Sequence, residues 1–254
     1  MALWGRFAVT LAEHARVIAF DPRGVGRSGP LPWHCSTREM ARDAVALLDA
    51  FQVPRAHLFG LSLGGMVAEW IAVDAPERVE SLVLASTLPE MSSISHRVKD
   101  HVFPVLRALT EYGAEAEVAL VHALLSSQFR DREPHRVRAI EAVIRAAPTK
   151  RRTLLTFALA GALHAAEPRF AQHSGRTLLL FGEHDWIVGK TSRKELAREL
   201  PNAIVEILAG AGHDLSLERP VETAERVLRF VSGSDSAMTD TPAMPPRPAI
   251  VSPR

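Results

Sequence analysis

The feature that most constrains the fold is a repeated alternation of short apolar runs and longer amphipathic segments, joined by connections of only a few residues. Residues 56–59 read as a strand, 64–74 as a helix stopped before Pro76, and 81–86 as a second strand. The pattern returns late in the chain, with a strand at 177–181, a helix at 192–200, a strand at 203–208 and a helix starting at Pro220. Strand–helix–strand order with short links forces neighbouring strands to run parallel, with helices covering the sheet. The fold class is therefore α/β, a mostly parallel sheet in two sequence blocks.

The first block is preceded by a short apolar run at 16–20, read as a buried strand, and a Gly- and Pro-rich loop. A helix then opens at Ser36, which has capping-box spacing to Glu39, and presents Met40, Ala44, Leu47, Leu48 and Phe51 on one face before Pro54. Ser192 and Glu195 have the same spacing. Between the blocks, residues 88–174 show helical periodicity without a convincing strand. Val102, Val105, Leu106 and Leu109 mark one stripe there, and Val118, Val121, Leu124 and Leu125 another. The expected domain plan is a core of 1–87 and 175–231, a helical insertion of 88–174 and a disordered Pro-rich tail of 232–254.

With 254 residues, 47% of them hydrophobic, the chain can bury a sizeable core. Thirty basic and 29 acidic residues leave a net charge of +1, so no general field draws it to nucleic acid or an anionic membrane. Cys35 is the only cysteine, which excludes an internal disulfide; Met1–Leu11 lacks a signal-peptide pattern, and the cytoplasm is the expected compartment. Oligomeric state is left open.

Chemistry is concentrated where strands end. Gly60-Leu61-Ser62-Leu63-Gly64 lies between a strand and a helix, the context of a nucleophile elbow, where a sharp turn leaves room only for glycine two residues before and after the serine. The alternative is a plain turn with a capping serine. A serine hydroxyl needs a base to take its proton and a carboxylate to fix that base. His213, in Gly210-Ala211-Gly212-His213 after the last strand, can supply the first, and Asp185, in Gly182-Glu183-His184-Asp185, the second. Glu183 and Asp214 are rival acids, and a solvated loop histidine is the plain alternative for His213. Gly24-Val25-Gly26-Arg27-Ser28-Gly29 fits a dinucleotide fingerprint, but Pro30 and Pro32 stand where a helix must begin. Cys35 beside His34 lacks a second ligand pair, and Lys150-Arg151-Arg152 reads as a solvated helix start. Neither a metal nor a cofactor is expected.

The order Ser62, Asp185, His213 resembles the α/β-hydrolase superfamily. So do Phe20-Asp21-Pro22-Arg23-Gly24-Val25-Gly26-Arg27-Ser28 and Ala75-Pro76-Glu77-Arg78-Val79, while Gly60 to Ala68 is most similar to enol-lactonases and small esterases. The resemblance implies a cofactor-free serine hydrolase of small or medium esters or lactones, with the Leu63 N–H as an oxyanion donor and the insertion capping the site. It leaves two alternatives: a non-catalytic binding relative, or the same triad used for acyl transfer, C–C hydrolysis or perhydrolysis. The superfamily places about three strands before the one at 16–20, the third ending in a His-Gly motif whose loop gives a second oxyanion donor, and the chain has no such motif. The expectation is a natural start upstream of Met1, a central gap that the sheet must close or have completed, and weakened hydrolysis, since one lost donor costs about a hundred- to a thousandfold.

Overall fold

The computed structural model describes residues 2–87, 102–166 and 169–233. Its sheet has four parallel strands in the order β1 (Ala56–Leu61), β2 (Val79–Ala85), β3 (Thr177–Gly182) and β4 (Ile204–Leu208). Helix α1 (Gly5–Ala12) and α2 (Thr37–Ala50) precede β1, and α3 (Leu63–Asp74) joins β1 to β2. Among the described residues five α-helices lie between β2 and β3: α4 (Phe103–Glu111), α5 (Ala116–Leu124), α6 (Ser127–Arg132), α7 (Pro134–Ala146) and α8 (Arg151–Ala162). Helix α9 (Lys190–Glu199) joins β3 to β4, and α10 (Leu215–Glu218) and α11 (Pro220–Val231) follow. The expected positions 88–101 and the tail from 234 lie outside the described residues.

Strand side chains alternate between the two faces. Leu82, Leu84, Leu179 and Phe181 pack under α2, α3 and α9, whereas Val83 and Leu178 meet Phe7 of α1 and Ala224, Val227 and Phe230 of α11. Each fully buried leucine contributes about 1.5 to 3 kcal/mol by leaving water. Ser36 caps α2 as its spacing predicts, accepting from the Glu39 N–H at 3.2 Å while Glu39 accepts from the Ser36 N–H at 2.7 Å.

Three expectations are corrected. Residues 16–20 form no ladder among the described residues and are not a strand; an apolar run becomes a strand only when a neighbour takes its N–H and C=O groups, and none does. The described sheet therefore neither closes over nor is completed on that side: it ends at β1, most of whose residues are partly exposed. Helix α9 starts at Lys190, with Gly189 at its N-cap, so Ser192 lies inside it and does not open it. Arg152 is not merely solvated: its guanidinium donates to the Leu31 carbonyl and lies 4.9 Å from the Trp33 ring centre.

A buried polar cluster ties the end of α8 to α2 and α3. His164, just after α8, contacts Glu69 of α3 through Nε2 (2.8 Å) and Thr37 of α2 through Nδ1 (2.9 Å), and the Trp70 indole N–H donates to Thr37 at 3.1 Å. Complete burial pushes the Glu69 carboxyl above its usual range, and His164 only partly opposes this.

Candidate active site

Because every strand runs the same way, the carboxyl ends of β1, β2, β3 and β4 meet at one edge of the sheet. Leu61 pairs with Ala85, Ala85 with Leu180, and Gly182 with Leu208. Ser62 follows β1 directly, Asp185 lies three residues past β3, and His213 five past β4. Parallel topology alone thus gathers three segments that are far apart in sequence.

Ser62 occupies the one-residue turn between β1 and α3 with φ 51° and ψ −118°, a left-handed conformation that costs a non-glycine residue about 1 to 3 kcal/mol. Its surroundings over-determine that turn. The Ser62 N–H donates to the Ala85 carbonyl at 2.9 Å, and its carbonyl accepts from Gly65 (2.8 Å) and Met66 (3.2 Å). A Cβ on Gly60 would overlap the Gly64 carbonyl and come within 2.7 Å of the Gly65 Cα, so only glycine fits there. Gly64 differs from expectation: an added Cβ would meet nothing within 4 Å, because its hydrogen points into open space. The crowded second glycine is Gly65, pressed against the Thr87 side chain. Gly60→Ala is expected to lower the thermal midpoint by several degrees, overpacking costing about 1 to 3 kcal/mol, while Gly64→Ala leaves it within error; a melt of each variant checks this.

Asp185 and His213 form the hydrogen-bonded half of the site. His213 is 1% exposed and Asp185 3%. The imidazole Nδ1 lies 3.0 Å from both carboxylate oxygens of Asp185. Asp185 Oδ1 also accepts from the N–H groups of Ile187 and Val188, each at 3.0 Å, and Arg193 donates to the Asp185 carbonyl at 2.8 Å. Burial opposes ionisation of Asp185, but the hydrogen bond and charge of His213 and the Val188 N–H outweigh it and hold the carboxyl below its usual range. A carboxylate on Nδ1 places the ring proton there and leaves the Nε2 lone pair free to accept one. The Ser62 hydroxyl makes no hydrogen bond with the imidazole among the described residues.

The rival acids have other duties. Glu183 accepts from the Gly210 N–H at 2.9 Å. Asp214 caps α10, accepting from Leu217 N–H (3.1 Å) and the Ser216 hydroxyl (2.7 Å), and burial raises its pKa. Leu63 begins α3, and its N–H has no partner among the described residues, as at the first position of any helix. Sequence reasoning missed residues Ala123 to Ser126, between β2 and β3, which touch both loops: the His213 N–H donates to the Leu124 carbonyl at 3.0 Å, and the Trp186 indole donates to the Ala123 carbonyl at 2.8 Å. Their hydrophobic spacing signals only a helix. Among the described residues no cluster of three or more His, Cys, Asp or Glu could hold a metal ion, and no helix is long and apolar enough to cross a membrane.

Known proteins share this arrangement of elements. A protein of Caulobacter vibrioides that carries the assigned name carbamate hydrolase RutD is 29% identical over 238 residues, 92% of this chain and 86% of the relative. The 3-oxoadipate enol-lactonase 2 of Acinetobacter baylyi is 31% identical over 87 residues, 34% of this chain and 33% of its own. The enol-lactonase structure from Burkholderia xenovorans LB400 superposes with a TM-score of 0.80 at 24% identity, covering 91% of this chain and 86% of that one. The profile of the alpha/beta hydrolase fold family matches residues 1–220, and the chain belongs to that family.

Proposed function

We propose that this protein is a serine hydrolase that cleaves small or medium carboxylic esters or lactones through an acyl-enzyme, without a cofactor. The observation that carries this is the buried Asp185–His213 pair at the sheet edge where Ser62 stands on its strained turn. In the proposed reaction the Ser62 Oγ attacks the substrate carbonyl as His213 Nε2 takes the hydroxyl proton. Asp185 stabilises the imidazolium that forms, and the Leu63 N–H donates to the oxyanion. The tetrahedral intermediate collapses, breaking the bond to the leaving oxygen, which receives its proton from His213. Water, deprotonated by His213, then adds to the acyl carbon and releases the acid and free Ser62.

Residues 88–174 act in this proposal as a cap that shapes the acyl and leaving-group pocket. The substrate is a small neutral or weakly charged molecule, consistent with the net charge of +1. A second reading, a carbamate in place of the ester, is supported by the name of the Caulobacter relative and uses the same steps, with nitrogen or oxygen as leaving atom.

The test is a fluorophosphonate probe on native protein, followed by peptide mass spectrometry. One adduct on the Ser62 peptide is expected, absent after heat unfolding. No adduct, together with no turnover of p-nitrophenyl esters, would overturn the proposal.

A further inference from the structure

The His213 loop does not stand alone on the sheet; it rests on the inserted helices through a buried carboxylate the mechanism above does not use. Glu218, at the end of α10, is 2% exposed. Both its oxygens face one residue: Oε1 accepts from the Ser126 N–H at 2.7 Å and Oε2 from the Ser126 hydroxyl at 2.6 Å. That hydroxyl oxygen in turn accepts from the Phe129 N–H at 3.1 Å, capping α6. One side chain thus pins the turn between α5 and α6.

The turn carries the contact to the base. Leu124, two residues before Ser126, supplies the carbonyl that receives the His213 N–H. Gly212 runs directly over the junction: a Cβ there would sit 2.5 Å from Glu218 Oε1, 2.6 Å from the Ser126 nitrogen and 3.0 Å from the Leu124 oxygen. The absence of a side chain at residue 212 lets the loop lie against the clamp. Beside it, Leu125, Phe129, Val137 and Leu217 form a buried apolar cluster, and Arg136 donates to the Leu217 carbonyl at 2.6 Å. A carboxylate is an expensive way to fill such a place, since burying one costs several kcal/mol unless fully hydrogen-bonded, and an apolar side chain would hold two helices together more cheaply. What the carboxylate adds is direction: two short bonds fix one turn in one orientation.

We propose that Glu218 is a positioning residue for the hydrolysis, holding the Leu124–Ser126 turn through Ser126 so that the inserted helices set the position of the His213 imidazole. This rests on the serine-hydrolase proposal for its kinetic readout, though not for its structural one. Glu218→Ala and Ser126→Ala loosen the turn, and a shift of about 1 Å in a catalytic group costs about a hundredfold. Glu218→Gln keeps an acceptor for the Ser126 N–H and restores most of the rate.

The experiment is made on the full chain with wild type and these three variants, reading fluorophosphonate labelling rate, kcat and KM for a p-nitrophenyl ester, and the NMR resonance of the His213 Nδ1 proton. The expected result is a ten- to hundredfold fall in labelling rate and kcat for both alanine variants, KM within about twofold, a displaced Nδ1 resonance, and recovery in Glu218→Gln. Wild-type rates in both alanine variants, or a loss with the Nδ1 resonance unmoved, would overturn it. Should Glu218→Ala fail to fold, Ser126→Ala retains the backbone N–H and decides the matter. If wild type itself is unlabelled, the hydrolase proposal fails, and the Nδ1 resonance still decides this one: displaced, it supports the tie; unmoved, it sinks it.

Discussion

Ser62→Ala is expected to lose about six orders of magnitude in kcat while melting at the wild-type temperature. In the proposed mechanism the loss is large because Ser62, His213 and Asp185 act as a unit: without the hydroxyl, the base has no proton to take, and only binding and the proposed oxyanion donor remain. The unchanged melting point follows from the backbone. Alanine at φ 51° is as strained as serine, and the bonds that hold the turn, from Ser62 N–H to Ala85 and from Gly65 and Met66 to the Ser62 carbonyl, are main-chain bonds that the substitution leaves in place. Ser62→Gly separates the two quantities further. It is equally inactive but relieves the left-handed strain, so its midpoint rises by about 2 to 4 °C for each kcal/mol recovered. Steady-state kinetics and thermal melts of the two variants check this. An alanine variant within tenfold of wild type would place the nucleophile elsewhere.

Asp185→Asn is expected to lower kcat by about four orders of magnitude with little change in KM. The asparagine oxygen takes over Oδ1's role, accepting from the Ile187 and Val188 N–H groups. Its amide N–H then faces the imidazole Nδ1, which must become an acceptor. The ring proton moves to Nε2, which in the proposed mechanism can then no longer accept the Ser62 proton. The same substitution has a pH signature. The folded-state pKa of Asp185 is depressed, so its ionisation contributes stability that is present above the ordinary carboxylate value of about 3.9 and is lost as pH falls through the lower folded value. The gap between wild-type and Asp185→Asn melting temperatures is therefore expected to be widest near neutral pH and to shrink in acid. A gap that grows on acidification would contradict this arrangement of charge.

Much of this was legible in the sequence because it depends on local pattern. The Ser36–Glu39 capping box, the four apolar strand runs and the crowded glycine two residues before Ser62 are rules about neighbours within a few residues, and the structure realises each. Residues 16–20 show the limit: their apolar run is as strand-like as that of β1, but a strand is a property of pairs, and among the described residues no partner strand takes their backbone. Gly64 and Gly65 show another, since which glycine is crowded depends on where Thr87 arrives from the next strand.

Helix α1 was missed although Phe7 and Leu11 share one face, because what stabilises so short a helix is its burial against α11 and Phe59. Likewise, Glu183, Asp185 and Asp214 are equivalent as carboxylates near strand ends. Only the folded chain turns Asp185 toward the imidazole, sends Glu183 to Gly210 and commits Asp214 to a helix cap.

The sequence by itself determined the alternation of the four paired strands with the helices that join them, the parallel direction of the sheet, and hence the edge that the segments of Ser62, Asp185 and His213 follow, because periodicity and connection length are local and topology follows from them. Tertiary structure alone decided which acid faces the histidine and that Ser126 and Glu218, 92 residues apart, hold the loop beneath it. Hydrogen bonds between such distant residues depend on a few tenths of an ångström in the packing of whole helices, and no short-range pattern encodes that.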